Sequence, residues 1–506
     1  MNLAIANIAL PTIGRSLDAS QTSLNLVASG FTLGLASSVL YLGAIADRYG
    51  RKRVYLIGTV FSIVTAVLAT ISPTVEILIL SRVLGGFAAG MMYPITLSLL
   101  TALYNGRART GATALWAGVS NGAASLAPLV GGVILVGSNP DAWRWVFMIT
   151  APLALIVLAL GIWVLPKHAG ENDNPVDNAG GVISVIAVAT LVFAINLLAD
   201  GISPTVLILG AIAALAFVGF FIREKRAANP LFPLEILRIR TFSIAFIAGV
   251  IVFGGLMGAL FVGQQFTQNV LGYSALDAGL AVLPFGIMSI VGSIPSARMI
   301  VKFGSRLTLL VGLALLLAGF VLMLLTWNES AGYPAVGLAY LILGAGVGIA
   351  APPTARALMG SVVVTRAGVG SAASDLTRDF GGAVFQSIMG AALAAGYAAS
   401  FNSRIAASPD ASKATEQTKA IITHSFGGAT QIAEKYPQYT TAILAAAKES
   451  FLHGSQLAFI VGAVAALGAI IVTWFLFPSH SGEQATYERV AAESDKLLAA
   501  EAVASA

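Results

Sequence analysis

Thirteen runs of roughly twenty apolar residues leave this chain few folds to choose from. They are centred near Leu33, Ser62, Gly86, Ser120, Ile156, Val188, Ala213, Gly254, Ser289, Ala314, Leu343, Gly390 and Gly468. A helical run of that length matches a hydrocarbon core about 30 Å thick. A fourteenth run, Asn2 to Ile13, opens the chain. At about 1.5 Å per residue it reaches only about 20 Å, short of the core. Alternation with period two is missing, and the runs are about twice the length of a barrel strand, which argues against a β-barrel. The expectation is an all-α membrane protein with fourteen transmembrane helices, the first of them truncated, as it would be if the natural chain began upstream.

Charge supports this. Only 10% of the 506 residues are charged and 57% are hydrophobic, whereas soluble domains carry about a quarter charged residues. A soluble enzyme, a nucleic-acid binder and a disordered scaffold are thereby excluded. The 53 glycines run through the apolar stretches, as membrane helices tolerate. No cysteine is present, so disulfides, thiolate metal sites and a Cys nucleophile are excluded. The four His are dispersed, no phosphate-cradling Gly-rich loop followed by Lys occurs, and no metal or cofactor is expected.

Cations fall on alternate connections. Arg48, Arg51, Lys52 and Arg53 lie on one side, followed by Arg107 and Arg109, Lys167, and the group Arg223, Lys225, Arg226, Arg238 and Arg240. Arg298, Lys302, Arg306, Arg356, Arg366, Arg489 and Lys496 continue the series, while the short opposite connections offer Arg15 and Arg144. The positive-inside rule then places both termini in the cytoplasm and the chain in the plasma or inner membrane. The long segment 400–455 carries five cations on the outer side, but long loops are largely exempt from the rule. Apolar residues at helical spacing over Tyr439–Leu452 make it partly helical. It is either an amphipathic cap or a docking element for a partner such as an accessory envelope protein.

A repeat is visible. The second run ends in Gly43-x-x-x-Asp47-Arg48-Tyr49-Gly50-Arg51-Lys52 and the tenth in Ala297-x-x-x-Val301-Lys302-Phe303-Gly304-Ser305-Arg306. Both read small residue, then cation, aromatic, Gly, any residue, cation. If these close the second helices of two six-helix halves, the domains are 1–166 and 241–478. Residues 167–240 then form a linker with two inserted helices, and 479–506 a cytoplasmic tail. Duplicated halves rocking about a midplane site are a transporter architecture.

In the first copy Gly43 allows another helix to approach, Asp47 can meet a helix N-terminus or an Arg, and Gly50 permits a tight turn. A topology anchor alone accounts for the cations but not for Asp47 or the glycines. This stretch resembles the loop 2–3 signature of the major facilitator superfamily, where it acts as a cytoplasmic latch. Leu80-Ser81-Arg82-Val83-Leu84-Gly85-Gly86 resembles that family's fourth-helix Arg motif. Gly118 with Ala127-Pro128-Leu129-Val130-Gly131-Gly132 is similar to its fifth-helix antiporter motif, and Trp143-Arg144-Trp145 to its entry to helix six. Fourteen helices, Gln268 to Ser274, and Arg378-x-x-Gly381-Gly382 narrow the resemblance to the drug/proton antiporter branch of multidrug efflux type. It implies proton-coupled export of a lipophilic or cationic small molecule, with lipid and protons as further partners and no enzymatic activity. Export of a lipid or envelope metabolite and a non-transporting sensor of the same fold stay open.

Arg82 lies about six residues into the fourth run, at a depth where a cation needs a partner, a wet cavity or a snorkelling route to the interface. The resemblance implies a role beside the proton site. Pro128 with Gly131 and Gly132 implies a bend and tight packing, structural or coupled to exchange. Asp375, Arg378 and Asp379 share a face of the thirteenth run at i, i+3 and i+4; they form a structural ion pair, or one acid titrates during transport. The family has an amide-type residue where Asp375 stands. Gln264, Gln265, Gln268 and Asn269 either line a path or bond helix to helix. Apart from the pair in the thirteenth run, none of the 23 acids falls well inside a run. The branch places an Asp five residues before the Asn of Asn7-Ile8-Ala9-Leu10-Pro11, and here that position is Asn2.

Overall fold

Short polar connections start the long helices, because a side-chain oxygen can accept from the otherwise unpaired N–H groups of a first turn. Ser20, Asp177, Ser203 and Ser274 each cap in this way, receiving the N–H of Ser23, Gly180, Val206 and Asp277. In a computed structural model the chain is described over residues 2–103, 126–137, 139–165, 175–198, 201–363, 367–407 and 415–504. These residues are helical with no strand among them.

The first half holds α1 (Asn2–Ser16), α2 (Gln21–Tyr49), α3 (Arg51–Thr70), α4 (Val75–Leu103), α5 (residues 126–134), α6 (Trp143–Met148) and α7 (Thr150–Val164). The inserted pair is α8 (Asn178–Leu197) and α9 (Pro204–Arg226). Then follow α10 (Arg240–Asn269), α11 (Ala275–Ala281), α12 (Leu283–Thr326), α13 (Tyr333–Gly360) and α14 (Ala367–Ala407). α15 (Glu416–His424), α16 (Phe426–Lys435), α17 (Thr440–Leu476) and α18 (His480–Ala504) complete the chain.

Eleven described stretches are long and apolar enough to cross a membrane. One of them, Ala275–Thr326, runs for 52 residues and holds two passes, because α12 breaks at Gly304 (φ 82°, ψ 169°). With the short α1, and with α5 as the described end of the fifth pass, all fourteen expected segments have a place. Gly50 (φ 102°, ψ 121°) ends α2 and starts α3. Both repeat turns therefore rest on a Gly with positive φ, a conformation side chains resist. We call the end of the molecule bearing these turns the basic end.

Packing follows the small residues. α2 and α4 press together at Gly34 and Gly86, where an added Cβ would stand 2.1 Å from the Val83 carbonyl oxygen and 2.2 Å from that of Phe31. Gly43 departs from expectation. An added Cβ there would meet Pro94 at an ordinary 3.7 Å, so the close approach is made by Gly34 and Gly86. The α8–α9 hairpin leans on both halves: the Tyr41 hydroxyl on α2 donates to Asn178 Oδ1 at 3.0 Å, and Asn196 Nδ2 donates to Ser387 Oγ on α14 at 2.8 Å. Val188 and Val192 fill the groove between Leu33 and Ala383.

The segment beyond α14 folds back on the chain itself. α14 continues to Ala407, and Tyr439–Leu452 is helical as expected, joined without a break to the last span in α17. α15 and α16 cap the end opposite the basic one. Gln431 Nε2 donates to the Arg15 carbonyl at 3.1 Å, and the Tyr397 hydroxyl to that of Ile422 at 2.9 Å.

Candidate functional site

Arg82 does not snorkel. It is 3% exposed, its Nε donates to the Val27 carbonyl at 3.1 Å, and its guanidinium lies 4.9 Å from the Phe31 ring and 5.4 Å from that of Phe147. A cation at helix centre costs about 2.5–3.5 kcal/mol on insertion scales. Two desolvated ring faces at about 1–2 kcal/mol each, with a charge-assisted hydrogen bond, are of the size needed to offset it. Gly30 makes room, since its added Cβ would lie 3.4 Å from that of Arg82. Beside the guanidinium, Ser62, Thr65, Ser81 and Thr150 line a cavity of about 20 Å³, enough for one water.

The acids of α14 form one cluster with Arg378. Its Nη2 pairs with Asp375 Oδ1 at 3.1 Å and its Nε with Asp379 Oδ1 at 3.4 Å. The guanidinium stacks 4.8 Å over the Tyr93 ring of α4, so the cluster reaches across from one half to the other. Asp379 is 3% exposed, and its Oδ2 is buried without a hydrogen-bond partner among the described residues. Two carboxylates around one guanidinium leave one negative charge uncompensated if both are ionised, which is costly in hydrocarbon. The named partners of Arg82 lie at Val27 and Phe31, while Leu376 of α14 packs at the Phe31, Leu35 and Val39 face of α2. The two features thus sit at neighbouring levels of α2, with Phe31 adjoining both.

At the far end from the basic turns the halves meet closely. An added Cβ on Gly132 of α5 would stand 2.7 Å from Leu276 Cα of α11, and one on Gly279 would stand 2.7 Å from the Pro128 carbonyl. Gly131 faces Ile8 Cγ2 at 2.7 Å. Of the expected antiporter residues, Pro128 and Gly132 therefore lie in the seam between the halves, while Gly131 packs on α1 within the first half. Next to them Gln21 Nε2 donates to Gln265 Oε1 at 2.9 Å and Gln268 Nε2 to the Ile8 carbonyl at 3.1 Å. Of the two roles open for these amides, Gln265 and Gln268 here join helix to helix.

At the basic end the cations terminate helices, as a C-terminal dipole favours. Lys52 Nζ donates to the carbonyls of Ile162 and Leu165 at 2.9 and 2.6 Å, closing α7. Arg48 lies 5.8 Å from the Tyr49 ring, and both Arg48 and Arg51 have further partners. At the other end Arg144 does the same for α3, donating to Thr70 and Ser72 at 2.9 and 2.8 Å. In the second repeat the acid comes from the tail. Glu483 of α18 accepts the Ser305 N–H at 2.9 Å and the Ser305 hydroxyl, and the Tyr487 hydroxyl donates to it at 2.8 Å. In the repeat pattern Asp47 of the first copy stands where the second has Val301. The side chains of Asp47 and Asn2, and Gly118 altogether, lie outside the described residues.

Sequence reasoning did not single out Gln21, Asn25, Tyr93, Gln386 or Glu483, and it named Asn7 only as the start of the Asn7-Ile8-Ala9-Leu10-Pro11 motif. Polar residues inside apolar runs were the available signal for the four amides. Tyr93 and Glu483 carried none, since only their distant partners set them apart.

Residues 1–386 match the Major Facilitator Superfamily. The multidrug efflux pump LfrA of Mycolicibacterium smegmatis is 28% identical over 472 residues, 93% of this chain and 92% of its own. The tetracenomycin C resistance and export protein of Streptomyces glaucescens is 28% identical over 492 residues, 96% of this chain and 91% of its own. Among solved structures, a bacterial homolog of the human lysosomal transporter Spinster, inward-facing and unoccupied, superposes with a TM-score of 0.64 at 14% identity, covering 94% of each chain. A D-xylose–proton symporter gives 0.58 at 14% identity, covering 95% of each. The helix count, the paired turns at Gly50 and Gly304 and a match over 386 of 506 residues agree: this chain belongs to the Major Facilitator Superfamily.

Proposed function

We propose that the chain is a secondary active exporter of lipophilic or cationic small molecules, of the multidrug efflux kind its relatives are named for, driven by inward proton movement. The observation that carries the coupling is the α14 cluster. Asp375, Arg378 and Asp379 hold two acids against one cation, and Asp379 Oδ2 is buried and unpartnered among the described residues. Protonating Asp379 leaves a neutral Asp375–Arg378 pair. Releasing that proton restores a negative site that a cationic compound can occupy. One position thus serves proton and cargo in turn, which is the requirement for exchange.

In this reading residues 1–166 and 241–478 are the rocking bodies, with α8–α9 riding beside the α2–α14 contact. The basic end faces the cytoplasm, by the positive-inside rule, and both termini with it. Arg82 holds α2, α4 and α6 together next to the path and sets the local field, while the Gly50 and Gly304 turns govern the cytoplasmic edge. Asn2 stands where the branch places an acid in the first helix, and in this reading the α14 acids take the proton instead.

Reconstituted vesicles provide the test. A lipophilic cation added to vesicles under an imposed pH gradient is expected to collapse that gradient, and Asp379→Asn to slow the coupled flux at least tenfold. Full coupling in both Asp379→Asn and Asp375→Asn would remove the cluster from the mechanism. No flux of any compound would leave the fold without a transport role.

A further inference from the structure

Helices from both halves bring a layer of amides together at the outer end. Asn7 comes from α1, Gln21 and Asn25 from α2, Gln264 and Gln265 from α10, and Gln386 from α14; each is at most 4% exposed. The hydrogen bonds cross the seam: Gln21 Nε2 to Gln265 Oε1 at 2.9 Å, and Gln386 Nε2 to Asn7 Oδ1 at 3.4 Å. Within α2, Gln21 Nε2 also reaches Asn25 Oδ1 at 3.3 Å. Gly390 of α14 admits Asn25, whose amide carbon lies 2.8 Å from where a Cβ would stand.

The layer is poorly satisfied. Asn25 Nδ2, Gln264 Oε1 and Gln265 Nε2 are buried with no hydrogen-bond partner among the described residues. Buried amides kept as structural glue are normally paired, and a partly paired network holds helices together less well than apolar residues of the same shape. The rest of this seam shows that closure without polar side chains is available, since Gly132 on Leu276 and Gly279 on Pro128 achieve it. The unmet groups lie on helices of both halves, α2 and α10, in the layer whose other amides bond across the seam, so parting of the halves would open them to water.

We propose that this amide layer is the outer gate of the transporter and, once the halves part, the polar wall that an exported compound meets. The unmet groups keep the closed seam from becoming too stable to open. Neutral amides offer donors and acceptors together without a fixed charge. They therefore suit lipophilic compounds carrying an amine, hydroxyl or amide, whether cationic or neutral. This rests on the reading of the chain as an alternating-access exporter.

The chain contains no cysteine, so a single introduced thiol reports alone. Asn25→Cys is expected to react with a membrane-impermeant maleimide from outside, faster during export than at rest. Gln265→Leu is expected to slow that labelling and the export rate about tenfold, with melting temperature unchanged or raised. Gln264→Met removes an unmet acceptor without breaking a side-chain bond; it is expected to act in the same direction and stands in if Gln265→Leu fails to fold. A thiol at position 25 that never labels while the protein exports would overturn the proposal. So would apolar variants that export at the full rate, or that lower the melting temperature and leave labelling unchanged. Should the unmodified chain move nothing, the export reading falls, while labelling of Asn25→Cys still decides whether the layer opens.

Discussion

Gly50 and Gly304 occupy the same turn in two copies of one pattern, and both have positive φ. A Cβ there costs about 1–2 kcal/mol from backbone conformation alone. At Gly304 it would also meet His480 Nδ1 at 2.5 Å. Gly304→Ala is therefore expected to lower the melting temperature of the detergent-solubilised protein more than Gly50→Ala does. Gly43→Ala, facing an ordinary contact with Pro94, should cost less than either. A Gly43 variant as damaging as Gly304→Ala would refute this ordering. At this scale the turn glycines were legible, because cation, aromatic and Gly recur at fixed spacing. The need for an Arg82 partner was legible from its depth. Its identity was not: Val27, Phe31 and Phe147 meet Arg82 only after α2, α4 and α6 pack, and nothing in a stretch around residue 82 announces them.

Among the elements, α18 and the α8–α9 hairpin depend most on single carboxylates. Glu483 is 1% exposed and holds Ser305 at the start of the second half of α12, while burial first, and the adjacent Glu483 charge second, raise the Tyr487 hydroxyl above its ordinary range. Tyr487 thus stays a donor at any physiological pH, with Arg356 lying 5.6 Å from its ring. Glu483→Ala should cost about 1.5–3 kcal/mol, the worth of hydrogen bonds to a charged group, and render residues 480–496 sensitive to protease. A protected tail in that variant would show that α18 is held by other contacts. At the other hairpin, burial alone would raise the Asp177 carboxyl, but Arg223 and the Gly180 N–H bring it below the usual carboxylate range. A depressed folded value means that the pair stabilises at neutral pH. That support fades as pH falls through the folded value, below the ordinary carboxylate range near 3.9. Asp177→Asn should speed hydrogen exchange at the start of α8 at pH 7, and the difference from the parent chain should vanish once Asp177 itself is protonated. The amphipathic cap was legible as helical from Tyr439 onward. Its seat on Arg15 was not, because that contact joins residues 416 positions apart.

Whole-molecule motion is testable at the seam. Gln21 and Gln265 touch across the halves, so a Gln21→Cys/Gln265→Cys pair should crosslink under oxidant and stop export, with reductant restoring it. Binding of cargo from the basic end should survive the crosslink, and undiminished export in the crosslinked protein would show that this face need not part. The architecture was legible because about twenty apolar residues per pass and cations on alternate connections are imposed by the solvent, not by tertiary detail. The seam was not, since Gln21 and Gln265 lie 244 residues apart and each alone reads as one amide in an apolar run. The α14 cluster falls between these cases: i, i+3 and i+4 spacing put Asp375, Arg378 and Asp379 together, while the Tyr93 ring that carries them across the interface came only with the fold.

The carboxylate that closes the Ser305 turn also sets an order of events during synthesis. Glu483 follows Ser305 by 178 residues, so at translation rates of roughly 5–20 residues per second the turn waits about 9–36 s for its acid. Over that interval the nascent second half of α12 starts with an uncapped N-terminus, while α13, α14 and α17 are still being inserted. A helix made well after the joint it serves thus completes it. Ribosome-stalled chains ending before residue 483 should show that joint as the site first open to nicking.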